Sequence, residues 1–246
     1  MKVENSREIG FFDIDHELTL RVEAVARFFQ EMATLHSIKA GAGPDLLFSK
    51  GVIWFLNRLE IEFVRYPLLG EKLKIITWSR GFRHHMGLRE YRIESEKGLV
   101  AKGSSVWIIF DFMRKKIIKV PTDIEPLYQS EPEKGFETEV ANWKTCGKIE
   151  PEKEMAVSLR YGDFDVNGHV NNTIYLGLVE TLFHNTLAPG KSRIQNLKIR
   201  FAREINKTVE EVQVGWKKVD GIYLFNIYDP NGGNRIYADG EFTSMD

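Results

Sequence analysis

The chain has 246 residues, enough for one large or two small domains and for a core that buries about 70% of the unfolded surface. Lys and Arg number 34 against 35 Asp and Glu, a balance that argues against a dedicated nucleic-acid or anionic-membrane binder while leaving local basic patches open. A lone Cys146 excludes an intramolecular disulfide and a thiolate metal cluster, and no run of about 18 apolar residues is present to span a bilayer.

In chain order, the charged segment Met1 to Phe12 lacks an apolar signal core, so the expectation is a soluble, unprocessed protein in a reducing cytoplasm. Leu20 to Ile38 follows with Val22, Val25, Ala26, Phe29, Met32, Ala33 and Leu35 at helical spacing, which predicts a helix with one face in the core. Gly41-Ala42-Gly43-Pro44 reads as a helix stop; it opens no Gly-Lys-Ser/Thr helix and is no phosphate cradle. Alternating strands come next, joined by short turns such as Glu96-Lys97-Gly98. Basic residues gather at Arg80 and Arg83, at Arg89 and Arg92, and at Arg114-Lys115-Lys116 with Lys119. Each group is most simply a solvated face; together they are able to steer an acidic partner. His84 and His85 are adjacent, and His36 and His184 fall near helix ends, so none has a metal-ligand spacing. Prolines at 121, 126, 132 and 151 and an acidic stretch around Glu131 to Glu139 mark an ordered connector of low regular structure over 121–154.

The densest chemistry lies at Asp163-Phe164-Asp165-Val166-Asn167-Gly168-His169-Val170-Asn171-Asn172, just ahead of a predicted helix from Thr173 to Leu187. Asn171 or Asn172 is a good N-cap, so the cluster sits at the positive end of a helix dipole, where backbone N–H groups favour a developing oxyanion. A polar turn with an elaborate cap explains one Asn and one Asp. It does not explain Asp165, Asn167 and His169 at alternate positions, which point the same way if the segment is extended.

The two halves repeat each other. Leu-Glu-Ile-Glu-Phe-Val-Arg at 59–65 mirrors Leu-Lys-Ile-Arg-Phe-Ala-Arg at 197–203, Leu73, Ile75 and Thr77 align with Val212, Val214 and Trp216, and Ala101-Lys102-Gly103 aligns with Ala238-Asp239-Gly240. Each half runs strand, long helix, then alternating strands with turns such as Pro230-Asn231-Gly232-Gly233. This predicts an α+β fold in which a curved antiparallel sheet wraps its helix.

Asp165-Val166-Asn167-Gly168-His169-Val170-Asn171-Asn172 with Tyr175 and Glu180, together with Trp54 to Gly70 and the Trp78 and Trp107 strands, resembles the acyl-[acyl carrier protein] thioesterases over essentially the whole chain. The resemblance implies a tandem double hotdog: an N-terminal unit over 1–120 with the acyl-chain pocket and a degenerate site, the connector over 121–154, and a C-terminal unit over 155–246 with the catalytic motif. It implies Asp165, Asn167, His169 and Glu204 as catalytic residues, Met32 and Trp54 as candidates for acyl-chain binding, and no metal or cofactor. The implied partner is an acyl carrier protein with a 4′-phosphopantetheine-linked chain, and neither nucleic acid nor membrane is expected; whether the duplicated chain pairs further as a homodimer stays open. Tyr66 stands where Glu204 stands in the repeat, so only the second half keeps the motif. Plant members carry a Cys after the Glu, and here that position is Ile205. Water is therefore the expected nucleophile, unless Glu204 or Asp165 forms a transient anhydride. An acyl-CoA thioesterase and a non-catalytic acyl-binding module are the competing readings.

Overall fold

A computed structural model of the chain describes residues 1–186, 192–231, 233 and 235–245. It divides into two compact units, one of Met1–Leu20 with Arg27–Trp143 and one of Arg21–Ala26 with Lys144–Asp246.

The first unit contains β1 (Lys2–Glu8), β2 (Val52–Phe63), β3 (Lys72–Arg83), β4 (Met86–Ser95) and β5 (Gly98–Asp111), hydrogen-bonded in the order β1-β3-β4-β5-β2 and antiparallel throughout. A short β6 (Lys116–Ile117) adds to β5. Helix α1 (Val22–Lys39) begins later than the apolar pattern suggests, because Leu20 is held in a bridge to Ile14. Its Phe29 stacks on Tyr91 of β4 with ring centroids 4.3 Å apart. Helix α2 (Pro44–Ser49) starts at the proline, whose missing N–H costs nothing at a helix N-terminus.

The second unit contains β7 (Lys153–Ser158), α3 (Asn172–Thr186), β8 (Arg193–Phe201), β9 (Glu211–Val219), β10 (Ile222–Asp229) and β11 (Arg235–Met245), with the antiparallel order β7-β9-β10-β11-β8. That order repeats β1-β3-β4-β5-β2, strand for strand. The register repeats too: Phe63 pairs with Ala101 and Ile61 with Gly103, as Phe201 pairs with Ala238 and Ile199 with Gly240. Both glycines are required by close packing, since a Cβ would fall 2.2 Å from the Phe29 ring at Gly103 and 2.3 Å from the Phe225 ring at Gly240. The expected helix end at Leu187 and Gly232 of the 230–233 turn lie outside the described residues.

Residues 121–143 form a strap on the first unit. Ile124 and Tyr128 are buried with Val52, Ile109 and Val120, and Val140 packs on Leu88 and Val106. Trp78 Nε1 donates to Glu133 O at 2.9 Å, and Arg58 Nη1 donates to the carbonyls of Val140, Ala141 and Trp143 at 2.8–3.0 Å. Arg80 and Arg89 depart from the view of the basic groups as solvated faces, whereas Arg83, Arg114, Lys115, Lys116 and Lys119 are exposed as that view expects. Arg80 is half-buried between Glu90 and Glu139, at 3.4 and 2.8 Å, and Arg83 reaches Glu139 at 2.7 Å. Arg89 is buried against Thr77 Oγ1 and His36 Nδ1, both at 3.3 Å. Among the described residues no helix is long and apolar enough to cross a membrane.

Candidate active site

The motif is built on a tight reversal rather than an extended segment. Tyr161–Asp163 makes one 3₁₀ turn, and buried Asp163 accepts hydrogen bonds from Arg160 N at 2.8 Å and from the Arg160 guanidinium at 2.7 Å. Phe164 then bridges Val170, Asp165 N donates to His169 O at 2.8 Å, and Gly168 N donates to Asp165 O at 3.0 Å. Gly168 takes φ 74°, a left-handed conformation that glycine adopts without steric cost. Asp165 organises the turn: its Oδ1 accepts from Asn167 N at 2.8 Å and His169 N at 3.3 Å, and its Oδ2 accepts from Asn167 Nδ2 at 3.4 Å. An Asp that captures the N–H groups following it favours a turn over a strand, which is why the alternation of Asp165, Asn167 and His169 is not that of an extended chain.

The turn docks on the loop after β8. His169 bridges Asn206, and Val170 N donates to Ile205 O at 2.8 Å. Glu204, three residues beyond the end of β8 at Phe201, is thereby brought to His169, with Oε2 3.3 Å from Nε2. Both side chains keep solvent contact, at 32% exposure for His169 and 49% for Glu204, so water reaches the pair.

Tyr175 fixes this loop and is the functional residue that sequence reasoning left without a role. Its hydroxyl accepts from Ile205 N at 3.2 Å and donates to Arg203 O at 3.4 Å, gripping the backbone on both sides of Glu204. Burial raises the phenol well above its ordinary range, and the Glu204 charge adds to this, so the hydroxyl keeps its proton. The available signal was a Tyr rather than a Phe at a core position, because a buried phenol needs a polar partner.

Asn171, not Asn172, caps α3: its Oδ1 accepts from Thr173 N at 3.0 Å and its carbonyl from Ile174 N at 2.9 Å. Two of the leading N–H groups are thus already engaged, and the Asn167 amide, with one of its two N–H bonds on Asp165, retains donor capacity. Within the second unit, Glu180 accepts from Val22 N at 2.9 Å and Glu23 N at 3.5 Å, which is a structural use. Cys146 Sγ contacts Phe225 O, Asp239 Oδ2 and Gly240 O. Burial, reinforced by Asp239, pushes its thiol up to about 12, so it is not a thiolate at neutral pH.

The two residues expected to bind an acyl chain lie in the first unit. Met32 is buried on α1. Trp54 is partly buried against the cluster of Ala42, Leu47, Val52 and Ile109 and stacks on Phe82 at 5.8 Å.

The Acyl-ACP thioesterase N-terminal domain model matches residues 1–128 and the Acyl-ACP thioesterase C-terminal domain model matches residues 147–236. A palmitoyl-acyl carrier protein thioesterase, chloroplastic, from Gossypium hirsutum is 25% identical over 184 residues, 70% of this chain and 44% of the relative. Oleoyl-acyl carrier protein thioesterase 1, chloroplastic, from Arabidopsis thaliana is 28% identical over 185 residues, 68% of this chain and 51% of the relative. The chain thus spans about half the length of the curated relatives it matches. The crystal structure of an acyl-ACP thioesterase from Bacteroides thetaiotaomicron superposes with a TM-score of 0.83 at 18% identity, covering 99% of this chain and 98% of that one, which establishes the shared fold. With both domain models matched in order, and with the second falling on the turn that joins His169 to Glu204, the chain belongs to the acyl-ACP thioesterase family.

Proposed function

We propose that the protein hydrolyses the thioester of fatty acyl-[acyl carrier protein], releasing free fatty acid and holo carrier protein, from a tandem double hotdog whose second unit, 155–246, carries the chemistry. The observation that carries this reading is the His169–Glu204 contact of 3.3 Å, held by the Asp165 turn on one side and the Tyr175 clamp on the other.

Glu204 and His169 together hold a water beside their contact and take its proton as its oxygen attacks the acyl carbonyl carbon. A positioned base contributes about 10²- to 10⁴-fold. Asn167 Nδ2 donates to the carbonyl oxygen as it becomes an oxyanion, a contribution of about 10²- to 10³-fold. The C–S bond then breaks, and the pantetheine sulfur leaves as a thiolate that recovers the proton. Asp165 spends its carboxylate on the turn, so it orients Asn167 and His169 and neither takes the proton nor forms an anhydride. Met32 and Trp54 are assigned to the acyl-chain site in the first unit, with cytoplasmic residence and no cofactor.

Thiol release from acyl-carrier-protein thioesters of varied chain length, alongside matched acyl-CoAs, tests this with wild type and Glu204→Gln. Faster turnover of the carrier-protein substrates that collapses in the variant is the expected result. A CoA preference would move the substrate assignment, and tight acyl binding without turnover would replace the hydrolase by a binding module.

A further inference from the structure

The β5–β6 hairpin carries an apolar and basic tip that neither the fold nor the site uses. Phe110 pairs with Ile117 and Asp111 with Lys116, and the connecting residues run Phe112-Met113-Arg114-Lys115. Phe112 N donates to Gly51 O at 3.1 Å, the Phe48 and Phe112 rings lie 4.9 Å apart, and Met113 sits over Gly51, so the end of α2 and the hairpin form one surface. On it Phe48 is 68% exposed, Met113 76% and Ile117 57%. Around them stand Lys50, Arg114, Lys115, Lys116 and Lys119, all exposed. Asp123 pairs with Lys50 at 2.6 Å and Asp111 with Arg114 at 3.5 Å, Asp45 and Glu125 are the remaining nearby acids in sequence, and among the described residues Lys115, Lys116 and Lys119 make no ion pair.

We propose that this tip docks on an anionic lipid surface, with Phe48, Met113 and Ile117 entering the headgroup layer and the lysines meeting lipid phosphates. Charge complementarity selects this occupant: three uncommitted cations surround side chains that gain by leaving water. The apolar groups stand singly between lysines rather than as a continuous apolar core, which suits a fluid headgroup layer better than a folded partner, because lysine stems reach past inserted side chains to the phosphates. The near-neutral charge of the whole chain hides this local excess. The docking is independent of the hydrolase reading; joined to it, the enzyme works where a released fatty acid partitions.

Co-sedimentation of the full chain with vesicles of phosphatidylcholine alone, or of phosphatidylcholine and phosphatidylglycerol in equal parts, tests the proposal. One variant combines Lys115→Asn with Lys116→Gln; asparagine suits the left-handed backbone at Lys115, φ 52°. A second combines Phe48→Ser with Met113→Ser. Binding to the anionic vesicles is expected, weakened by about twenty-five-fold in the lysine variant, about fivefold per cation, and by about tenfold or more in the apolar variant. Unchanged melting temperature and unchanged hydrolysis of a short soluble thioester show that the variants are folded. No binding to anionic vesicles, or binding that both variants retain, overturns the proposal. Weakened binding to an acyl carrier protein in the same variants, without vesicle binding, also overturns it and makes the tip a protein dock.

Discussion

The turn at 11–20 in the first unit and the turn at 161–170 in the second are one backbone with two sets of side chains. Asp15 N donates to Thr19 O and Leu18 N to Asp15 O, as Asp165 N donates to His169 O and Gly168 N to Asp165 O. Asp15 Oδ1 accepts from Glu17 N and Thr19 N, matching the bonds of Asp165 to Asn167 N and His169 N. Leu20 N docks on Pro67 O as Val170 N docks on Ile205 O, and Thr19 bridges Leu68 as His169 bridges Asn206. Three of the differences fall on the candidate site: Glu17 for Asn167, Thr19 for His169, and Tyr66, stacked on Phe63 at 4.4 Å, for Glu204. The aspartate is therefore a folding device common to both units, and the proposed chemistry is assigned to residues that differ. The first unit also accepts a cost the second avoids, since Leu18 holds φ 60° where the second unit has Gly168.

The largest effect should separate the differing positions. Glu204→Gln and His169→Ala are expected to lower kcat by about 10²- to 10⁴-fold, with Tyr66→Phe and Thr19→Ser leaving initial rates of thiol release unchanged. Equal losses in both units would end the assignment of the chemistry to the second. Asn167→Ala should cost about 10²- to 10³-fold in kcat, and Glu17→Ala nothing.

Acid offers a further contrast, because the first unit buries ionisable groups of its own. Burial raises Glu90 to about 7, so its folded-state pKa exceeds the unfolded value; the stability it contributes is present at acid pH and is lost as pH rises through about 7. Burial, with Arg89 beside it, lowers His36 to about 4, so its contribution is present above the unfolded pKa and is lost as pH falls towards about 4. Between pH 4.5 and 6.5, the two ordinary values, the slopes oppose. Glu90→Gln should expose the His36 limb, with stability rising by up to about 3 kcal/mol over that window in chemical denaturation; a curve as flat as wild type would contradict it. Smaller still, Tyr175→Phe should lower kcat by about tenfold with little change in KM and cost about 1–2 kcal/mol of stability, because Ile205 N loses its acceptor. Leu18→Gly should stabilise by up to about 1 kcal/mol and Gly168→Ala should destabilise by a similar amount, both read from melting curves.

The strand repeat was legible because pairing register leaves a period-2 trace: Leu-x-Ile-x-Phe marks β2 and β8, and Ala-x-Gly marks the points where β5 and β11 meet an aromatic ring. The motif was legible as a density of polar groups, but its shape was not. Alternation alone does not reveal that Asp165 bonds the backbone after it. Tyr175 escaped because its partners lie 28 and 30 residues away, and Arg80 because Glu139 lies 59 residues away. Composition reads a local charge run as solvated when its burial is imposed from elsewhere in the chain.

The strap over 121–143 has a consequence for dividing the protein. A fragment ending at residue 120 would uncover Leu88 and Val106, strand Arg58 without its three carbonyls and leave Arg80 beside Glu90 without Glu139. A fragment ending at Trp143 keeps all of these contacts. The segment that looks most like a disposable linker is thus the lid of the first unit's own interior, and a protease reaching it should find its peptide bonds guarded by the fold.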